Sequence, residues 1–290
     1  MSRTIVVTSI AIMRQAVLNA RTDGDIALVP TMGALHEGHL SLVRAARKKC
    51  KTIVTSIFVN PTQFGPNEDF TRYPRDVEAD VRKLEQEGVD LVFAPSVDEM
   101  YPNGRFGTFV EVPEISDRLD GRSRPNHFRG VATVVAKLFH IVSPDFAFFG
   151  QKDAAQVAVL RAMVRDLNFP VELVVCPTVR ESDGLAMSSR NQYLDRDERS
   201  CANVLYHSLC KASEAFLRGR TNAQELRQLV ANTIHESKVH LEYIEITEPD
   251  TLLPVDDVSG GALVAIAAWI GQTRLIDNIL LQADGTTVCA

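Results

Sequence analysis

Pro30-Thr31-Met32-Gly33-Ala34-Leu35-His36-Glu37-Gly38-His39 follows the apolar run Ile26 to Val29 and leads into an amphipathic stretch from Gly38 to Lys49. A short unbroken apolar run reads as a strand buried on both faces, and the helical period behind it makes the decamer a strand-to-helix turn. Two familiar turns are excluded by spacing. Gly33 and Gly38 have the GxxxxG separation of a Walker A loop, but His39 stands where that loop needs Lys. His36 and His39 are three residues apart rather than the four of HExxH, and no third metal ligand is evident. What remains is the pattern HxGH. Its glycine lets the backbone approach a nucleotide, its helix start offers free N–H donors and a positive dipole end, and its two imidazoles can stabilise charge growing on transferring phosphates. Two histidines at a helix start can also be purely structural, a reading that weakens once the other loops are counted.

The same alternation extends through the first 180 residues. Further strands are expected at Thr4 to Val7, Thr52 to Val59, Leu91 to Ala94, Phe146 to Phe149 and Val171 to Val175. Helices are expected at about Ile10 to Arg21, Asp76 to Gly88, Phe128 to Val142 and Asp153 to Leu167. Strand-helix alternation implies an α/β fold with a Rossmann-like, doubly wound parallel sheet, and such sheets bind ligands at the carboxyl ends of their strands. That rule singles out the turns after Val29, Val59, Phe149 and Val175. Beyond Arg180 the pattern changes to helical segments at Arg196 to Leu217 and Asn222 to His235, followed by strands at Leu241 to Ile246, Leu263 to Trp269 and Arg274 to Leu281. Two domains are therefore expected: residues 1–180, Rossmann-like, and residues 181–290, a smaller α+β domain. The polar tail after Gln282 is expected to fray.

Three further turns carry unusual polar sequence. Asn60-Pro61-Thr62-Gln63-Phe64-Gly65-Pro66-Asn67 offers Gln63, whose amide both donates and accepts and so suits a small polar substrate. Gly150-Gln151-Lys152-Asp153-Ala154-Ala155-Gln156 repeats the pattern of a glycine at a strand end before a helix. There Lys152 can act as a point charge on an α-phosphate, and Asp153 can cap the helix. Asp183-Gly184-Leu185-Ala186-Met187-Ser188-Ser189-Arg190-Asn191 lies where the pattern changes. HxGH is the signature of a nucleotidyltransferase superfamily that includes the class I aminoacyl-tRNA synthetases, and Met187 to Arg190 resembles its KMSKS loop, in which hydroxyls and a cation grip the triphosphate. Ala186 stands where that loop begins with Lys, so Lys152 and Arg190 are the available cations.

Bulk properties narrow the classes. With 290 residues, 45% hydrophobic and 23% charged, the chain has ample material for a core. A net charge of -6 with scattered Lys and Arg argues against a nucleic-acid partner. The longest apolar stretch, Ala262 to Ile270, is far short of the roughly 20 residues of a membrane helix. The five cysteines, Cys50, Cys176, Cys201, Cys210 and Cys289, form no CxxC pair and read as reduced thiols. A cytoplasmic location is expected.

Taken with Phe70-Thr71-Arg72-Tyr73-Pro74-Arg75 and Arg124-Pro125-Asn126-His127-Phe128-Arg129-Gly130-Val131, these segments closely resemble the family of bacterial pantothenate synthetases, or pantoate–β-alanine ligases. The likeness runs from about Thr4 to Leu281, and the joint occurrence of HxGH, NPTQF, GxKDxxQ and GLAMSSRN is highly specific. The resemblance implies a homodimer acting on ATP, Mg2+, pantoate and β-alanine through a pantoyl-adenylate. Carried over by motif, Met32, Gly33, Ala34, Leu35, His36, Glu37, Gly38 and His39 would line the ATP site, with Gly150, Gln151, Lys152, Asp153, Val179, Met187, Ser188, Ser189 and Arg190. His36, His39 and Lys152 would be catalytic, His39 as proton donor. Gln63 would contact both pantoate and β-alanine, Gln156 would contact pantoate, and Asp80 matches an acidic position near the metal. Ala154 and Ala155 depart from the aromatic and Gln usual before Gln156. The smaller domain would close as a lid, because an acyl-adenylate hydrolyses in water. Rival readings are another HxGH nucleotidyltransferase, which leaves the nucleotide on its product, and a non-catalytic nucleotide sensor on the same fold.

Overall fold

A computed structural model describes residues 4–66, 68–104 and 107–288; Asn67 and Cys289 lie outside them. The chain divides into two compact units. The first comprises the chain up to Asp117 with Gly121–Gly150 and Val159–Cys176, and the second comprises Arg118–Asp120, Gln151–Ala158 and the chain from Pro177 onward. The second unit is thus assembled from three pieces of chain, whereas the sequence suggested one boundary near residue 180.

The first unit is built on six parallel strands: β1 (Ile5–Val7), β2 (Ile26–Thr31), β3 (Thr52–Ile57), β4 (Leu91–Phe93), β5 (Phe146–Gly150) and β6 (Glu172–Cys176). Their spatial order is β1-β4-β3-β2-β5-β6. Every residue of β3 is buried, including Thr52, Thr55 and Ser56, as expected for a central strand covered on both faces. Leaving β2, the chain turns to β3 on one side, while β5 returns on the other, with Ala27 beside Phe146 and Leu28 beside Ala147. The carboxyl end of β2 therefore lies at the point where the strand order reverses, where a doubly wound sheet opens its ligand crevice. The Glu37–Lys49 helix that follows buries Leu42, Val43 and Ala46, with Glu37 in its first turn and Arg47, Lys48 and Lys49 in its last, both signs matching the helix dipole.

The second unit has an antiparallel sheet of three long strands, β7 (His240–Thr247), β8 (Ala262–Ile270) and β9 (Thr273–Leu281), with a two-residue edge, β10 (Thr287–Val288). The helices Val204–Leu217 and Ala223–His235 bury Leu205, Leu209, Leu226 and Val230 in one core with Val264, Ile266 and Ile279 from the sheet. Two local expectations are corrected. The single helix expected from Arg196 to Leu217 is two, Arg196–Ala202 and Val204–Leu217, because Asn203 turns tightly at φ -67 and ψ -13. The tail after Gln282 does not simply fray: Gln282 N–H bonds Thr286 O, and Thr287 pairs with Leu281. Burial pushes the Cys50 thiol up to about 11, and no described cysteine forms a disulfide. Among the described residues no helix is long and apolar enough to cross a membrane.

Candidate active site

The first unit carries Met32 to His39, Gln63, Asp80 and Gly150; the second carries Gln151, Lys152, Asp153, Gln156, Val179 and Met187 to Arg190. Each set has its own scaffold.

The switch-point turn is fixed by the Val77–Gln86 helix. Asp80, 2% exposed, accepts the Ala34 N–H at Oδ2 and the Leu35 N–H at Oδ1, both at 2.8 Å. One helical turn on, Lys83 Nζ donates to Leu35 O at 2.6 Å. Two successive amides pointing at one anion need a left-handed backbone before them, and Gly33 and Ala34 supply it at φ 83 and φ 51. A Cβ on Gly33 would stand 2.9 Å from Asp80 Oδ2, so the close approach itself excludes a side chain there. Burial raises the Asp80 carboxyl above its ordinary value, against the two amides and Lys83, which pull it down. Expected near a metal, Asp80 has both carboxylate oxygens engaged by backbone. Among the described residues no group of three His, Cys, Asp or Glu could hold a metal ion.

Past this clamp the two histidines cap the helix reciprocally. His36 Nδ1 accepts from Gly38 N–H at 3.2 Å, and His39 Nδ1 accepts from His36 N–H at 3.3 Å. Their ring centroids are 4.1 Å apart. An Nδ1 that accepts is unprotonated, so in the neutral ring the proton is carried by Nε2. Capping therefore occupies Nδ1 of each ring.

Gln63 is brought to this turn by its side chain, whose Nε2 lies 3.2 Å from Met32 Sδ. Its Oε1 accepts from Asn60 Nδ2 at 3.0 Å, and Asn60, 1% exposed, is itself held by Tyr101 Oη at 2.8 Å and by Gly130 O at 3.2 Å. The Gln63 carbonyl accepts from His127 Nδ1 at 2.8 Å, while His127 Nε2 lies 2.9 Å from Arg124 Nη1; a ring protonated at Nδ1 satisfies both. Arg124 also pairs with Glu68 at 2.6 Å. Burial works to raise the Glu68 carboxyl, but the Arg124 hydrogen bond and charge, with His127, outweigh it and hold the group below its ordinary value. Gln63 lines a cavity of about 380 Å³ with Tyr101, Asn126, Arg129 and Thr133, a size suited to a small molecule. Asn60, Tyr101, Arg124 and His127 form a support for Gln63 that sequence reasoning missed. The only local signal was an Arg-x-x-His spacing ahead of a helix.

In the second unit Lys152 is half-buried and Asp153 exposed, and the Ala154 and Ala155 methyls are buried at 8% and 3% exposure. The Gln151 side chain is buried and donates to Asn278 Oδ1 at 3.0 Å. Val179 and Met187 close a short hairpin through Met187 N–H to Val179 O at 2.9 Å, so the Met187 to Arg190 segment is presented by a defined turn. Ser188 Oγ accepts from the Arg190 N–H at 3.3 Å, and Asn191 Nδ2 ties the segment to Ala186 O and Glu181. The Arg199 hydrogen bond holds the Asp183 carboxyl below its ordinary value.

The chain is similar to known proteins over most of its length. A sequence model of the Pantoate-beta-alanine ligase family matches residues 5–280. The chain is 62% identical over 257 residues to a pantothenate synthetase of Acidobacterium capsulatum, covering 88% of this chain and 86% of that protein. It is 55% identical over 282 residues to one from Koribacter versatilis, covering 97% of each. Among solved structures it is similar to pantothenate synthetase from Thermus thermophilus, with TM-score 0.90 and 47% identity over 96% of this chain and 98% of that one. It is also similar to the Francisella tularensis pantoate-beta-alanine ligase complexed with beta-gamma ATP and beta-alanine, with TM-score 0.76 and 35% identity over 95% and 97% of the two chains.

Proposed function

The chain belongs to the pantoate-beta-alanine ligase family, and from that membership we propose how its residues divide the work. It is an ATP-dependent ligase that condenses (R)-pantoate with β-alanine. A pantoate carboxylate oxygen attacks the α-phosphorus of ATP, the bond to the β-phosphate oxygen breaks, and pyrophosphate leaves. The β-alanine nitrogen then attacks the acyl carbon of the pantoyl-adenylate, the carbon–oxygen bond to phosphate breaks, the amine loses a proton and AMP departs. A free carboxylate cannot do this, because oxide is a hopeless leaving group whereas AMP is a good one.

The observation that carries the reading is the switch-point turn, where a left-handed backbone clamp sets two capping imidazoles at a helix start and places Met32 against Gln63. In this proposal Met32 to His39, Gly150 to Asp153, Val179 and Met187 to Arg190 bind ATP. His36, His39 and Lys152 stabilise charge on the phosphates, with His39 as proton donor. Gln63 takes pantoate and β-alanine, and Gln156 takes pantoate. Mg2+ enters with ATP as part of the co-substrate, and no step is assigned to Asp80. Residues 1–180 bind substrates and residues 181–290 act as the lid that excludes water; the working form is a cytoplasmic homodimer.

Incubation with ATP, Mg2+ and pantoate, with and without β-alanine, tests the reading by mass spectrometry. AMP and a new amide should appear together, in equal amounts, only when both acids are present. Nucleotide retained on the product would favour an adenylyltransferase, and binding of ATP without AMP would favour a sensor.

A further inference from the structure

Strand β9 carries two consecutive buried polar residues, Asp277 and Asn278, 2% and 4% exposed. Neighbouring strand residues point to opposite faces, and a buried amide or carboxylate costs stability unless its hydrogen bonds are made. Here they are made, and both sets end on candidate ATP segments of the same unit. Asn278 Nδ2 donates to Gln151 O at 3.0 Å and to Lys152 O at 2.9 Å, and Asn278 Oδ1 accepts from Gln151 Nε2 at 3.0 Å. One side-chain amide thus fixes two successive carbonyls of the turn that bears Lys152.

On the other face Asp277 binds Arg180 through both oxygens, at 2.7 and 3.1 Å, and Oδ1 also accepts the Asn278 N–H at 2.8 Å. Arg180 Nη1 donates to Gly184 O at 3.1 Å, and its guanidinium lies 4.1 Å from the Tyr206 ring centre. Gly184 is required at that point: at φ 95, a Cβ would stand 2.1 Å from Tyr206 Cδ1. The hairpin that presents Met187 to Arg190 is therefore tied, through Arg180, to the residue next to the one that holds the lysine turn.

We propose that Asn278 is a positioning residue for adenylation, holding the Gln151–Lys152 backbone so that the Lys152 ammonium is delivered to the α-phosphate, with Asp277 and Arg180 setting the companion hairpin. The inference rests on the activity described under the preceding heading. A rigid backbone turn is what such a lysine needs, since its long side chain gains precision only from the point where it starts, and a displacement of about 1 Å costs on the order of 10²-fold in rate.

A double-mutant cycle with ATP–pyrophosphate exchange, run with Mg2+ and pantoate but no β-alanine, tests it. Asn278→Ala should lower the exchange kcat by about 10- to 100-fold with little change in the KM for ATP, and cost less than about 3-fold in a Lys152→Ala background. Equal losses in both backgrounds would mean that Asn278 only supports the fold, and would overturn the inference. Should Asn278→Ala fail to fold, Asn278→Asp carries the same cycle, since it keeps the volume and the acceptor for Gln151 but loses both donors. A wild-type chain without pantoate-dependent exchange sinks the activity and this inference together. A wild type that exchanges, beside an Asn278 variant that keeps pace with it, sinks the inference alone.

Discussion

His36 and His39 each commit one ring nitrogen to a backbone amide, which fixes the ring orientation before any nucleotide arrives. Removing such a pre-aimed donor is costly because nothing reorganises to replace it. His39→Ala and Lys152→Ala should each slow pantoate-dependent pyrophosphate exchange by about 10²- to 10³-fold. Normal exchange in Lys152→Ala would cancel its assignment to the α-phosphate. Glu68 acts at the same scale through pH. Its carboxyl is held below the ordinary value by Arg124, so the folded state binds a proton less readily than the unfolded chain. The stabilisation is therefore complete above the ordinary glutamate pKa of about 4.3 and is lost as pH falls through the lower folded value. Glu68→Gln should flatten the acid side of a plot of denaturation midpoint against pH, and an unchanged slope would count against the pair. None of these long-range partners was legible in the sequence. Asp80 reaches amides 45 and 46 residues away, and nothing beside Asp80 in the chain marks it as a backbone clamp.

The elements themselves were far easier to read. Strands β2 and β5 and the Glu37–Lys49 helix lie within two residues of where apolar period and glycine placement put them, because burial on both faces leaves a continuous apolar run in the chain. The break at Asn203 and the β10 pairing escaped notice, since both depend on tertiary contacts that polar local sequence does not encode. Gly130 shows how one element positions another. It lies in the His127–Val142 helix, and a Cβ there would stand 2.4 Å from Thr62 O and 2.7 Å from the Gln63 Cα. The glycine is what lets this helix approach the Pro61–Gln63 turn. Gly130→Ala should cost about 1–3 kcal/mol of stability by overpacking and, by shifting Gln63, raise the KM for pantoate about 10-fold. A stable variant with wild-type KM would show that the turn tolerates displacement.

At the scale of the whole molecule, each of the two units has buried hydrophobic residues packed in a cluster of its own, which makes a single unfolding free energy a poor description. Trp269, the only tryptophan, lies in β8 and reports on the second unit. Asp277→Asn weakens a pair whose side chains are 8% and 1% exposed, leaving Arg180 buried without its full counter-charge. The Trp269 fluorescence transition should move to lower denaturant by an amount equivalent to roughly 3 kcal/mol. An unmoved midpoint would show that solvent or relaxation makes up the loss. The bonds from Asn278 to the lysine turn span 126 and 127 residues of chain. A ribosome adding about 5–20 residues per second therefore needs roughly 6–25 s after making Lys152 before its anchor exists. During that interval a nascent chain can already display the HxGH turn, yet its lysine has nothing to hold it in aim. On the role proposed for Asn278, an incomplete polypeptide would consume little ATP until its last long strand has been translated and has paired.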